Sequence, residues 1–226
     1  MSDDAITVTE VVLDESAVDE STVDESTSAP EPTGNFWTEP RATSAGAGWV
    51  LLVTGILGMA AAIALLLDRI QILIDPTFKP ACSINPIISC GSVMVTDQGK
   101  FFGFPNPMLG LPAFAVILVT AVLVLGRVKL PRWYWLGQAA GAFLGQIFVG
   151  YLIFQSLYRI HALCPYCMVV WSVVPIILLL SISRVLPDGG RGRSMRETLW
   201  LALPLYYVVV IAMITVQFWD YWKTLF

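Results

Sequence analysis

The chain is poor in charge and nearly without histidine. Only 13% of its 226 residues are charged and one is histidine, whereas a soluble domain carries about a quarter charged residues. It holds no haem-ligand pair and no dinucleotide-binding glycine fingerprint, so an electron acceptor for any redox chemistry must come from outside the chain. Residues 1–40 contain no Lys or Arg and no aromatic before Phe36, but eleven Asp and Glu, several in the near-repeat DESAVDESTVDEST. Such a segment cannot bury enough apolar area to fold, and residues 1–45 read as a disordered acidic tail. Neither a basic start nor an early apolar run is present, which excludes a signal peptide.

What remains is apolar: 56% of residues are hydrophobic and the mean hydropathy is +0.71. Spanning ~30 Å of hydrocarbon at 1.5 Å per residue takes about 20 apolar residues. Five stretches reach that length: 42–67 (with its helix starting near Gly48), 101–126 (starting at Pro107), 133–158, 162–183 and 198–219. The expected fold is an all-α integral membrane protein, a four-helix core over 46–186 with an outer loop at 68–106. A basic loop and a fifth span fill 187–226. Gly137, Gly141 and Gly145 recur every four residues and predict a small-residue contact seam on the third span. Pro112, Pro175 and Pro204 fall inside spans and are expected to kink them. Gln138 and Gln146 read as interhelical hydrogen-bonding groups.

Orientation follows the basic residues of the short loops. Arg127, Lys129 and Arg132 lie between the second and third spans, and Arg184, Arg191, Arg193 and Arg196 between the fourth and fifth. Both connections read as cytoplasmic, as does the amino-terminal tail, in a multi-pass protein of the plasma membrane. The loop at 68–106 and the turn at 155–163 then face the outer, periplasmic side.

All four cysteines fall on that outer side, where disulfides persist. Cys82 and Cys90 stand in the long loop; Cys164 and Cys167, in HALCPYCMVV, open the fourth span. Three readings compete: a four-thiolate metal site, two inert disulfides, and thiol–disulfide exchange. The Cys82–Cys90 spacing is too wide for the usual zinc knuckle. A two-residue gap closes a small strained ring of the kind that catalytic disulfides use, and a helix amino-terminus favours a thiolate. Exchange between the pairs therefore fits best. A membrane quinone, menaquinone or ubiquinone, is the acceptor that suits a thiol pair at the lipid edge, and no metal or nucleic acid is expected. The rivals are a membrane interaction protein with structural disulfides and an exporter of thiol reducing power; the latter would normally need cysteines deep within two spans.

Three motifs in order, CSINPIISC, GKFFGFPNPMLGLP entering a span, and CPYC opening the fourth helix, resemble the vitamin K epoxide reductase family, in particular its bacterial members. The resemblance covers Gly48 to Ser183. It implies an enzyme, a thiol:quinone oxidoreductase that supports disulfide formation in secreted proteins, with catalytic Cys82, Cys90, Cys164 and Cys167. Cys82 would meet the partner, Cys90 would join Cys164 in an internal mixed disulfide, and Cys167 would face the quinone. Thr96 matches a Ser or Thr near the family's active site, and Asn106 falls in the segment lining its quinone pocket. Trp171 stands where some relatives place a tyrosine that hydrogen-bonds the substrate carbonyl. His161, three residues before Cys164, is a candidate to stabilise a thiolate or to move a proton to the quinone. Many relatives carry a fused thioredoxin-like domain after the fifth helix. Here the expected partner is a separate thioredoxin-fold protein of the DsbA type.

Overall fold

The structure, a computed structural model, describes residues 40–41, 43–83, 87–94, 96, 99, 103–187, 190–219 and 223. All belong to one compact unit over 35–226. Nearly all of the acidic tail lies outside the described residues.

Six α-helices make up this unit: α1 (Ala45–Ile74), the short α2 (Cys90–Met94), α3 (Pro107–Leu125), α4 (Arg132–Gln155), α5 (Pro165–Val185) and α6 (Gly190–Gln217). A π-helical turn, Ser156–Ile160, continues α4. The strands β1 (Pro40–Arg41) and β2 (Leu130–Pro131) form one antiparallel pairing of two residues each. Five helices are long and apolar enough to cross a membrane, so the chain is an all-α, multi-pass membrane protein. Ser44 caps α1 by accepting from the Ala47 N–H. At 30 residues, α1 runs to about 45 Å, longer than ~30 Å of hydrocarbon requires, so its last two turns, from Asp68 to Ile74, continue past the apolar run. The connection that follows α1 starts at Asp75. Likewise α6 starts at Gly190, eight residues before the apolar run, because Arg193, Met195, Arg196 and Glu197 are good helix formers in spite of their polarity.

Helix α5 is the hub, packed on α1, α4 and α6, while α1 also pairs along its length with α3. Glycines let α1 and α3 approach. A Cβ at Gly58 would stand 2.1 Å from Phe114 Cε1, and Cβ atoms at Gly48 and Gly55 would meet Leu125 and Leu118 at 2.9 Å. Within the chain, the seam expected on the third span makes no close helix contact at two of its three glycines. Among the described residues nothing lies within 4 Å of a Cβ at Gly137 or Gly141, while at Gly145 a Cβ would meet Val174 Cγ1 at 3.8 Å. Helix α4 turns Trp135, Gln138, Ala139 and Val149 inward, which leaves Gly137 and Gly141 facing out.

Buried polar groups join the helices. Gln138 Nε2 donates to Ser181 Oγ at 2.9 Å, and Gln138 Oε1 lies 2.9 Å from Thr120 Oγ1, so one side chain links α3, α4 and α5. At the end of the bundle away from the cysteines, the buried Arg132 guanidinium donates to the last carbonyl of α5, that of Val185. Pro112, Pro175 and Pro204 do lie within helices.

Candidate active site

The site is assembled where the outer loop returns to the start of α5. Asp75 ends α1 in an Asx turn, its Oδ1 accepting from Thr77 N at 2.9 Å and Thr77 Oγ1 at 2.7 Å. Those bonds, first the hydroxyl and then the amide, hold the Asp75 carboxyl below the usual carboxylate range. The loop then brings Cys82 back over α1, with Cys82 Sγ 3.7 Å from Asp68 Oδ2. Hydroxyls set its far end: Ser89 Oγ accepts from Ser92 N at 3.3 Å and opens α2, while Ser83 Oγ accepts from Gly91 N at 3.3 Å and lies 3.3 Å from Ser89 Oγ. Cys82 and Cys90 are joined in a disulfide across this turn.

Backbone pairing then ties the loop to α5. Leu163 N donates to the Ile87 carbonyl at 2.6 Å, and Ser89 N donates to the Leu163 carbonyl at 3.0 Å, a single parallel bridge between Ile88 and Leu163. On the α5 side, the π-helical turn ends at His161 in a left-handed conformation, φ 54°. Ser156 Oγ donates to the Ala162 carbonyl. Cys164 follows in extended geometry as the N-cap of α5, with Pro165 at the first helical position, where its missing N–H costs nothing.

The result is contact between the pairs: Cys164 Sγ lies 3.3 Å from Cys90 Sγ. All four cysteines share one small apolar cluster with Leu65 and Met94. Cys90 and Cys164 are 0% and 1% exposed, while Cys82 keeps 8%, so of the disulfide's two sulfurs only Cys82 offers any surface. The Cys164 thiol is held below its ordinary value. The Cys167 side chain hydrogen-bonds it first, and the N–H groups of Cys167 and Tyr166 add to that, against the opposing effects of burial and the Asp68 charge.

One turn into α5, Cys167 lines a cavity of about 370 Å³, together with Cys164. Its walls come from α1, α2, α3, α4, the π-helical turn and α5 and are almost wholly apolar, with Leu65, Met94, Phe114, Phe148 and Val174 among them. A volume in the hundreds of Å³ with few polar groups suits a small apolar ligand. Asn106 and Trp171, both expected from the sequence, line it; Thr96 and His161 stand outside its lining. Thr96 Oγ1 donates to the Val93 carbonyl at 2.8 Å, and His161 is exposed. Gln155, which sequence reasoning did not single out, is in the lining. Trp171 Nε1 and Gln155 Oε1 are buried with no hydrogen-bond partner among the described residues, so each of these two lining residues carries an unsatisfied polar atom. The available signal for Gln155 was a polar residue in the last turn of an apolar span.

Two cysteine pairs in contact have one chemistry in common, the exchange of a disulfide for two thiols, and the apolar bundle puts that chemistry in a membrane. The chain is a membrane thiol–disulfide oxidoreductase in class. The family comparison narrows this: the model of the vitamin K epoxide reductase family matches residues 49–182, and the chain belongs to that family. A search of curated proteins finds no match. The matched residues agree with the span over which the motifs resemble the family. They include all four cysteines and leave out the whole of α6.

Proposed function

We propose that the protein re-oxidises a dithiol protein on the outer face of the plasma membrane and passes the electrons to a membrane quinone. The observation that carries this reading is the 3.3 Å contact between Cys90 and Cys164, made beside a cavity that Cys167 also lines. The partner would be a separate thioredoxin-fold protein of the DsbA type. Its disulfide is a strong oxidant, near −120 mV, which a quinone pool can regenerate.

The relay has two exchanges. A thiolate of the partner attacks the Cys82–Cys90 disulfide at Cys82, forming a mixed disulfide and releasing Cys90 as a thiolate. The partner's second thiol then displaces Cys82, so the partner leaves with a disulfide and the loop holds two thiols. In the second exchange Cys90 attacks a Cys164–Cys167 disulfide at Cys164, and Cys82 resolves it. That restores the Cys82–Cys90 disulfide and leaves Cys164 and Cys167 as thiols, the arrangement of bonds seen in the structure. Two electrons and two protons then sit at the cavity.

The cavity fits a quinone ring on two counts, its volume and its apolar walls, and Trp171 in its lining carries a buried indole N–H with no partner among the described residues. Cys167 and Trp171 would face the ring, with Asn106 at the segment entering α3. A quinone bound there supplies a two-electron, two-proton acceptor. Cys167 holds the reducing thiol at the cavity wall, the Trp171 N–H would orient the carbonyl, and the apolar lining disfavours water.

A trapping experiment tests the reading. In Cys90→Ala the loop has no disulfide for the partner to attack. Instead the Cys82 thiolate attacks the disulfide of the oxidised partner and expels one of its thiols. With no Cys90 to release the partner, Cys82 should retain it covalently in a form that dithiothreitol releases. Recovery of no thioredoxin-fold protein from cells expressing this variant, with wild-type membranes unable to reduce quinone with a dithiol donor, would dismiss the proposal.

A further inference from the structure

The fifth spanning helix lies wholly beyond the family match, yet it makes two side-chain hydrogen bonds to the turn of α5 that carries Trp171. Tyr206 OH donates to the Trp171 carbonyl at 3.2 Å, and Tyr207 OH donates to the Ser172 carbonyl at 2.6 Å. The first bond has a cause in the sequence. In an α-helix the carbonyl of residue 171 accepts from the N–H of residue 175, and residue 175 is Pro175, which has none. The Trp171 carbonyl would be an orphan in a residue only 3% exposed. Tyr206 supplies the missing donor from another helix, and Gln146 of α4 approaches the same hydroxyl. Ser172 is different, because Ile176 has its own N–H to give; Tyr207 is a second donor there and not the only one.

We infer that Tyr206 is a positioning residue for the acceptor cavity: by holding the Trp171 carbonyl, it fixes the turn of α5 from which the Trp171 side chain lines the cavity. This rests on the reading of the cavity as a quinone site. It makes the fifth helix part of that site without contact between Tyr206 and the ligand. The gap left by Pro175 is what couples them, so the coupling ends if that gap is filled from within α5.

The experiment uses the purified full chain with dithiothreitol as donor and a short-chain ubiquinone as acceptor. Wild-type turnover is measured first; its absence sinks the quinone reading itself, before any variant is compared. Tyr206→Phe keeps the ring and removes the hydroxyl. It should raise KM for the quinone about threefold to tenfold, the scale of one lost hydrogen bond, with kcat within about twofold. Tyr207→Phe loses an equivalent hydroxyl one residue away and should leave KM unchanged. Pro175→Ala returns an N–H to α5, and in that background Tyr206→Phe should no longer move KM. Equal KM in wild type and Tyr206→Phe overturns the inference, as does an equal rise in the Pro175 and Pro175→Ala backgrounds. The two backgrounds also differ in how much the hydroxyl stabilises the fold, so poor accumulation in one leaves the Tyr207→Phe comparison in the other.

Discussion

Cys90 and Cys164 are 74 residues apart in sequence and 3.3 Å apart at sulfur, and the two backbone hydrogen bonds between residues 87–89 and Leu163 hold them there. That relationship has a direct chemical readout. In the double variant Cys82→Ala/Cys167→Ala, only Cys90 and Cys164 remain, and mild oxidation should join them within one chain. Peptide mass mapping of the non-reduced protein checks it, and free thiols at both positions after oxidation would contradict the geometry.

Cys164 and Cys167 stand last in the proposed relay. Cys164→Ala or Cys167→Ala should abolish quinone reduction by any thiol donor, a loss of at least about a hundredfold for removing a reacting group. Cys82→Ala should behave differently. Small thiols need no docking at Cys82, so their oxidation at the Cys164–Cys167 pair should persist while oxidation of the protein partner stops. Steady-state quinone reduction with both donors separates the two patterns.

The pH dependence of Cys164 follows from its neighbours. Its pKa lies below the ordinary thiol value, chiefly because Cys167 hydrogen-bonds the thiolate. At a given pH the thiolate fraction is therefore higher than for an ordinary thiol, and it is lost only as pH falls through the lowered value. The pH profile of Cys164 alkylation by iodoacetamide should have its midpoint on the acid side of a free cysteine's. Cys167→Ala removes the largest cause and should shift that midpoint upward.

Gly58 and Gly137 make a paired test of packing. Gly58→Ala forces a Cβ to within 2.1 Å of the Phe114 ring, and should destabilise the fold by about 1–3 kcal/mol, the usual cost of overpacking. Gly137→Ala meets nothing within 4 Å and should stay within about 0.5 kcal/mol of wild type. Thermal unfolding in detergent distinguishes them, and the reverse order would restore the seam on α4.

Removing only the indole donor tests the cavity. Trp171→Phe keeps an aromatic ring but no N–H, and should raise KM for quinone about tenfold while leaving exchange between Cys90 and Cys164 intact. Quinone titrations with a fixed dithiol concentration measure it.

Sequence reasoning reached the spans and the four cysteines because both are written locally: length and apolarity for the spans, type and spacing for the thiols. It misjudged the glycines because a four-residue period says which residues share a face, not which face has a neighbour. Gly137 and Gly141 share one that looks outward, while Gly48, Gly55 and Gly58 share one that meets α3. Gln155 escaped because its role comes from a cavity shaped by several helices. Tyr206 escaped for a similar reason: its partner is a backbone carbonyl freed by Pro175, thirty-one residues earlier. The start of α6 was missed since hydropathy marks where a helix enters lipid and not where it begins.

The bridge between Ile88 and Leu163 has a kinetic consequence. Holding two reacting sulfurs in contact turns their meeting into an intramolecular event, for which effective molarities reach about 10⁵ M or more when alignment is good. In the proposed relay, the internal exchange then needs no diffusive search, and its rate is insensitive to how much partner or quinone is present. Throughput is governed at the two ends, by arrival at Cys82 and by departure from the cavity, and the middle of the chain behaves as a fixed wire.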